Sequence, residues 1–412
     1  MPPYSPSFDG GPRAKPRNLA SARDAVMLGA AKTALKKLNS ASVRVTAPSG
    51  RSALLGRGPQ TAHVQLKSLR PLWQAASRGG IGFAESYMDG DVSVDDLGHM
   101  MRFFADNYDQ IAASGRGLFQ VRGADKGWHR ARSNTREGSK ANISAHYDLG
   151  NAFYELWLDP GMTYSSALYP ANGASLDTAQ DAKYARVIEA LRLGPEASLL
   201  EIGCGWGGMA EQAARSGAEV SAITVSAEQL AYARNRIDKA GLSGRAEISF
   251  TDYRDVKGQY DRIVSIEMIE AVGEEHWPGY FATLARRLKP GGSAVVQAIT
   301  IREQDFGLYR SRPDFIQRYI FPGGMLPTAG IMQQMSEQAG LKFETIERFG
   351  ASYALTLRDW RARFQAAWPQ ISALGFDERF RRMWEYYLTY CEVGFERGFT
   401  DVGLYRMVKP AA

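Results

Sequence analysis

The chain has 412 residues, 44% of them hydrophobic and 11% aromatic, enough for two or three domains with packed cores and too apolar for a wholly disordered protein. Its two cysteines, Cys204 and Cys391, lie far apart, which excludes a disulfide framework and points to a reducing cytoplasm. Residues 1–70 sum to +10 and the remaining 342 to −4, and no apolar run is long enough to cross a membrane or to act as a signal-peptide core. The expectation is a soluble or peripheral protein, and no nucleic-acid motif accompanies the basic charge. Attraction to anionic lipid headgroups is then the better reading of that charge, beside the plain one of a solvated tail and linker.

Residues 1–18, rich in Pro, Ser, Gly and basic side chains, read as a disordered tail. A helix is expected over 20–38, with Val26, Ala30, Ala31, Leu35 and Leu38 on one face. Residues 41–70 alternate weakly between Gly and Pro and suggest a small sheet, and 95–106 read as a helix. A smaller N-terminal α+β domain is therefore expected over 19–115, followed by a basic linker over 116–142. From 143 onward the pattern is a larger α/β domain. Helices are expected at 152–158 and 176–191, strands at 198–202, 219–224, 246–251, 260–266 and 293–299, with helices 208–216, 227–240 and 275–288 between them. This alternation predicts a doubly wound parallel sheet that binds its ligand at the carboxyl ends of the strands. Helix 328–340, strand 343–349, helices 353–368 and 377–397, and strand 402–408 complete the chain.

The stretch Leu199-Leu200-Glu201-Ile202-Gly203-Cys204-Gly205-Trp206-Gly207-Gly208 runs from a buried strand through a glycine-dense turn into a helix. Gly203, Gly205 and Gly208 satisfy the dinucleotide spacing, which by itself is a weak signal. A dinucleotide site calls for an acidic residue closing the second strand, and here that strand runs into Thr224-Val225-Ser226, with no carboxylate before Glu228. After the third strand, Asp252-Tyr253 offers an acceptor and an aromatic face to an adenine. The turn Leu288-Lys289-Pro290-Gly291-Gly292 looks like that of the S-adenosylmethionine-dependent methyltransferases.

With these residues in place, the chain resembles the cyclopropane-fatty-acyl-phospholipid synthase family, which includes the mycolic acid cyclopropane synthases. The resemblance rests on residues 82–91, 146–151, Tyr164-Ser165, 199–207, 224–229, 252–255, 319–324 and Tyr386-Tyr387-Leu388, in unbroken order over roughly residues 60–410. It implies a Rossmann-like class I methyltransferase domain over 143–412, behind an N-terminal lipid- and membrane-docking domain. It implies S-adenosyl-L-methionine held by Tyr147, Tyr164, Ser165, Gly203, Cys204, Gly205, Gly207, Thr224, Val225, Ser226, Gln229, Asp252 and Tyr253. For Gly207 and Gly208, helix–strand packing is the alternative role, and for Tyr164 that of a pocket wall.

The implied reaction is methyl transfer to the cis double bond of an unsaturated phospholipid acyl chain, followed by proton loss and closure of a cyclopropane ring. The same cation could instead end as a methyl-branched or methylated unsaturated fatty acid, which would bring in a reductase partner. A lipid-binding relative without turnover is the remaining alternative. The intermediate cation calls for π faces, each worth roughly 0.5–2 kcal/mol, and for a base near the new methyl. In the family that base looks like a bound bicarbonate. By resemblance, Glu270, Tyr353 and the backbone of Ile299 would hold it, while Ser166 and Gln297 stand where the family has a cysteine and a histidine. Both can still donate hydrogen bonds to an anion. Cys391, on an apolar helix face with Trp384, Tyr387, Leu388 and Phe395, reads either as an active-site residue or as inert packing. Glu392, one residue on, is expected to enter the pocket and replace part or all of the bicarbonate. The resemblance also implies a homo-oligomer, a dimer, in the bacterial cytoplasm at the inner face of the membrane. Burying about ten methylenes from water would gain roughly 8 kcal/mol, but a chain leaving a bilayer gains almost none of this. Docking must then rest on other contacts, for which the basic N-terminal region is the natural candidate.

Overall fold

The structure is a computed structural model that describes residues 17–113, 135, 138, 149–171 and 173–411. The expected tail up to residue 16 lies outside the described residues, as do nearly all of the basic linker and both His146 and Tyr147. The chain divides into two compact units, Met1–Phe119 and Gln120–Ala412.

In the first unit α1 (Arg17–Ala34) precedes β1 (Ser42–Thr46), β2 (Ser52–Gly56) and β3 (Gln60–Leu66), followed by α2 (Arg70–Met88), β4 (Val92–Val94), α3 (Leu97–Asp106) and α4 (Tyr108–Ala113). The strands form one sheet in the order β2-β1-β3-β4, with β1 antiparallel to β2 and parallel to β3. Val43, Val45, Val64 and Leu66 alternate inward, as a sheet with one covered face requires. Asp96 caps α3 by accepting from the His99 N–H at 2.7 Å. The packed face of α1 is not the expected stripe: Leu28 is buried and Asp24 accepts from the Ser49 N–H at 2.9 Å, while Val26 is 70% exposed. Alanines at several phases leave the apolar face of such a helix underdetermined. Helix α2 is also unexpected. It is two helical stretches meeting at a break, where Gly79 (φ +61°, ψ −139°) leaves the helical region.

The second unit contains α5 (Asn151–Glu155), α6 (Leu176–Leu191), β5 (Ser198–Ile202), α7 (Gly208–Arg215), β6 (Glu219–Thr224), α8 (Ala227–Lys239), β7 (Ala246–Phe250), β8 (Tyr260–Ile266), α9 (Trp277–Arg287) and β9 (Leu288–Ile301). Then come α10 (Glu303–Ser311), a π-helical turn over Ile316–Ile320, α11 (Ala329–Gln338), β10 (Lys342–Arg348), α12 (Gly350–Ala366), α13 (Trp368–Ala373), α14 (Glu378–Glu396) and β11 (Thr400–Val408). The seven-stranded sheet has the order β10-β11-β9-β8-β5-β6-β7. Strands β5 to β9 are parallel, as the alternation predicts, and the order reverses at β5, opening a crevice at the strands' carboxyl ends. The sheet is mixed rather than wholly parallel, because β11 inserts antiparallel between β9 and β10. Buried Leu200, Ile202, Ile263, Val296 and Leu284 belong to one core cluster that seats α9 on the sheet.

Candidate active site

Gly203, Gly205 and Gly207 all take left-handed φ values (+82°, +53° and +84°), so the chain leaves β5 through a turn other residues would strain. The Gly203 and Cys204 N–H groups both donate to the Ile223 carbonyl at 3.0 Å, tying the turn to β6. A cavity opens above it. A Cβ at Gly205 would meet nothing within 4 Å, whereas one at Gly207 would lie 3.0 Å from Ala233 Cβ on α8. Gly205 thus presents bare backbone to a ligand, and Gly207 serves the close packing of turn on helix. Of the thirteen residues expected to hold the cofactor, ten line this cavity. Tyr147 lies outside the described residues, and Gly207 and Ser226 do not line it. Ser226 instead caps α8, its Oγ accepting from the Gln229 N–H at 3.3 Å. Thr224 Oγ1 donates to Gln229 Oε1 at 2.9 Å, which orients both side chains. Asp252 is held by Arg254, whose Nε and Nη2 donate to it at 2.8 and 2.6 Å, with the guanidinium 5.5 Å from the centre of the Tyr253 ring. Bare backbone at the glycine turn, an acceptor beside an aromatic face and an amphipathic cavity fit S-adenosylmethionine.

The cavity lining also includes a carboxylate, Glu267, that the sequence does not single out. Glu267 follows the last residue of β8 and takes a left-handed backbone (φ +49°), a strained position for a side chain of its size. Its Oε1 accepts from the Ser166 N–H at 2.8 Å and from Gln297 Nε2 at 2.7 Å, and its Oε2 accepts from Tyr353 Oη at 2.8 Å. Ser166, Gln297 and Tyr353 therefore do converge, but on a carboxylate of the chain itself. Ser166 contributes its backbone N–H, since its hydroxyl donates to the Ala167 carbonyl at 2.9 Å. Burial raises the Glu267 pKa above the usual carboxylate range, while these hydrogen bonds and the charge of Lys183 pull it back. Glu270 lies beside it. Its Oε1 accepts from the Ile299 N–H at 2.6 Å, its Oε2 is buried without a partner among the described residues, and burial followed by the Glu267 charge pushes it up to about 8. Of the groups implied to hold bicarbonate, Glu270 Oε2 alone keeps an open position, the others being taken up by Glu267 and Glu270, and a second anion there would face the Glu267 charge. The donor set does not fit bicarbonate.

One expectation is corrected, and one of two open readings is favoured. Glu392 does not enter the pocket: it is buried on α14 against α12, one oxygen accepting from Arg358 Nε at 3.0 Å and the other from Arg361 Nε and Nη2 at 3.1 and 2.8 Å. One residue along a helix is a rotation of about 100°, which carries Glu392 off the apolar stripe and onto the arginines of α12. Cys391, half-buried on the same helix, has its thiol pKa pushed up by burial and then by Asp314, which favours the packing reading over that of an activated nucleophile.

Tyr164 lines the cavity and is backed by aromatic packing. Tyr164 and Tyr387 share a hydroxyl–hydroxyl hydrogen bond of 2.8 Å, Tyr164 packs 5.2 Å from Trp360, and Phe321 meets Tyr387 edge-on at 6.3 Å. Behind the cavity, Lys183 is fully buried on α6 and donates to Ser165 Oγ at 2.8 Å. Glu201, at the end of β5, lines the cavity and is pushed up to about 8 by burial. Sequence signals for these omissions exist in part. A lysine in phase with buried Gln180, Tyr184 and Val187 marks Lys183. The paired loss of cysteine at 166 and histidine at 297 marks a replaced anion, though nothing local says that Glu267 replaces it.

Residues 134–404 match the family described as mycolic acid cyclopropane synthetase. The chain is 40% identical over 341 residues to the tuberculostearic acid methyltransferase UfaA1 of Mycobacterium tuberculosis, covering 80% of this chain and 79% of that protein. It is 34% identical over 369 residues to the cyclopropane-fatty-acyl-phospholipid synthase of Escherichia coli, covering 87% and 90%. Among solved structures, mycolic acid cyclopropane synthase CmaA1 complexed with SAH and CTAB superposes with a TM-score of 0.61 at 30% identity, covering 66% of this chain and 98% of that one.

Proposed function

The chain belongs to the mycolic acid cyclopropane synthetase family, and from its place among S-adenosylmethionine-dependent methyltransferases acting on lipid acyl chains we propose that it methylates the cis double bond of an unsaturated phospholipid chain with Glu267 as the base. The observation that carries this reading is the Glu267 carboxylate, aligned by Ser166, Gln297 and Tyr353 at the cavity wall. S-adenosylmethionine supplies an electrophilic methyl on a sulfonium that departs as a neutral thioether. The alkene π pair becomes the new C–C bond and leaves a cation on the neighbouring chain carbon. The Tyr164 ring at the cavity wall, held from behind by Tyr387 and Trp360, stabilises that cation and helps keep water out. Glu267 Oε then accepts one proton, and the C–H pair left behind quenches the cation.

Two endings share this balance, and each adds a net CH2. Loss of a proton from the new methyl closes a cyclopropane. Loss from a chain carbon, directly or after a hydride shift, leaves a methylated alkene. We favour the methylated alkene, because a tethered carboxylate replaces the bicarbonate pattern and because the relative at 40% identity is named a methyltransferase. A saturated methyl branch would need a further hydride and proton from a reductase. The ring is supported by the presence of Tyr353, Glu270 and Ile299, the residues that the resemblance assigns to the base site of the cyclopropane synthases.

The test is proton NMR of fatty methyl esters from a host without a cyclopropane synthase of its own, expressing this chain. Olefinic signals of a methylated alkene are expected. Upfield cyclopropane signals would overturn that ending, and unchanged product from Glu267→Gln would overturn the base.

A further inference from the structure

Lys183 touches none of the reacting atoms, yet among the described residues it is a fully buried charge, with 0% exposure. Its Nζ lies 2.8 Å from Ser165 Oγ and 4.2 Å from the centre of the Tyr184 ring. Ser165 and Tyr184 both line the cofactor cavity, and Lys183 approaches Ser165 from behind, on α6. An ammonium only donates, so Ser165 Oγ must be the acceptor of this bond. The Ser165 hydrogen is then free to point away from Lys183, and the side away from Lys183 is the cavity. A hydroxyl whose oxygen already accepts from an ammonium is a strengthened donor, and its natural acceptor is an anion.

We propose that Lys183 is a positioning residue for the cofactor: through Ser165 it presents a charge-reinforced O–H donor to the carboxylate of the methionine half of S-adenosylmethionine. Lys183 touches no cofactor atom itself. Its charge is tolerated in the interior because the Glu267 and Asp159 carboxylates favour it, and burial lowers its pKa only to about 8, so it is mostly an ammonium at neutral pH. The arrangement explains why a lysine rather than an apolar residue occupies this turn of α6. It also predicts that recognition favours ligands carrying the amino-acid carboxylate over those with the nucleoside alone.

The experiment is calorimetric titration of the full chain with S-adenosylhomocysteine and with 5′-methylthioadenosine, which lacks the amino-acid end. Lys183→Met is expected to weaken S-adenosylhomocysteine about tenfold, equivalent to about 1.4 kcal/mol, and to leave 5′-methylthioadenosine within about twofold. Ser165→Ala should produce the same selective loss, and in that background Lys183→Met should add little more. Equal weakening of both ligands, or additive losses in the double variant, would overturn the proposal in favour of a purely structural lysine. Should Lys183→Met fail to fold, Ser165→Ala keeps the test open, since an unchanged ratio of the two affinities would be equally fatal.

Discussion

Replacing Glu267 separates its chemical role from its structural one. In Glu267→Gln the amide oxygen can still accept from the Ser166 N–H and Gln297 Nε2, and the amide nitrogen can donate to Tyr353 Oη once that hydroxyl turns its own hydrogen away. All three contacts survive in altered polarity, so the expected change in stability is small, about 1 kcal/mol or less. The base is lost completely. A positioned general base contributes about 10²- to 10⁴-fold, so kcat should fall by that range while S-adenosylhomocysteine binding stays unchanged. Glu267→Gly goes further: it relieves the left-handed backbone at φ +49° and leaves the Ser166, Gln297 and Tyr353 donors facing an anion-sized space. Added bicarbonate or formate should then restore part of the activity of Glu267→Gly and none of that of Glu267→Gln. The assay is transfer of labelled methyl into extracted lipid, with and without the anion. Comparable turnover in Glu267→Gln and the parent enzyme would refute the reasoning, as would anion dependence of the parent.

The base works ionised, so kcat/KM should fall as pH drops through the Glu267 pKa, with the acid limb above the usual carboxylate range because burial raises it. Lys183→Met removes a charge that favours the carboxylate and should move that limb further up in a pH–rate profile. Glu392→Gln leaves Arg358 and Arg361 without their shared counter-charge. Since both arginines are partly exposed, a loss of about 1–3 kcal/mol in denaturant unfolding is expected, with the specific activity of folded protein retained. Loss of activity without loss of stability would restore Glu392 to the site. Vesicle cosedimentation should rise with anionic lipid and fall with salt, and equal binding to neutral vesicles would remove the basic N-terminal region from substrate access.

Many element boundaries in the second unit are legible from residue order, because they depend on local rules, whereas α10, α13 and the start of β9 at Leu288 are not. Short apolar runs end at turn residues, Ser226 and Thr328 cap helices, and α6 and β5 fall where the pattern places them. The cofactor cradle is legible for a related reason: Gly203 to Gly205, Thr224-Val225 and Asp252-Tyr253 each follow a strand, and parallel strands bring their carboxyl ends together. Tertiary structure decides the rest. Residues 166, 267, 297 and 353 come from four distant segments, and only the packing of β8, β9 and α12 directs three donors at one carboxylate. A glutamate held at positive φ runs against local preference, so propensity cannot announce it. Glu392 shows the reverse case, since a one-residue step on a helix sends its carboxylate to two arginines instead of the pocket. Local order in the chain determines where a methyl donor is held; long-range packing determines which carboxylate stands beside it.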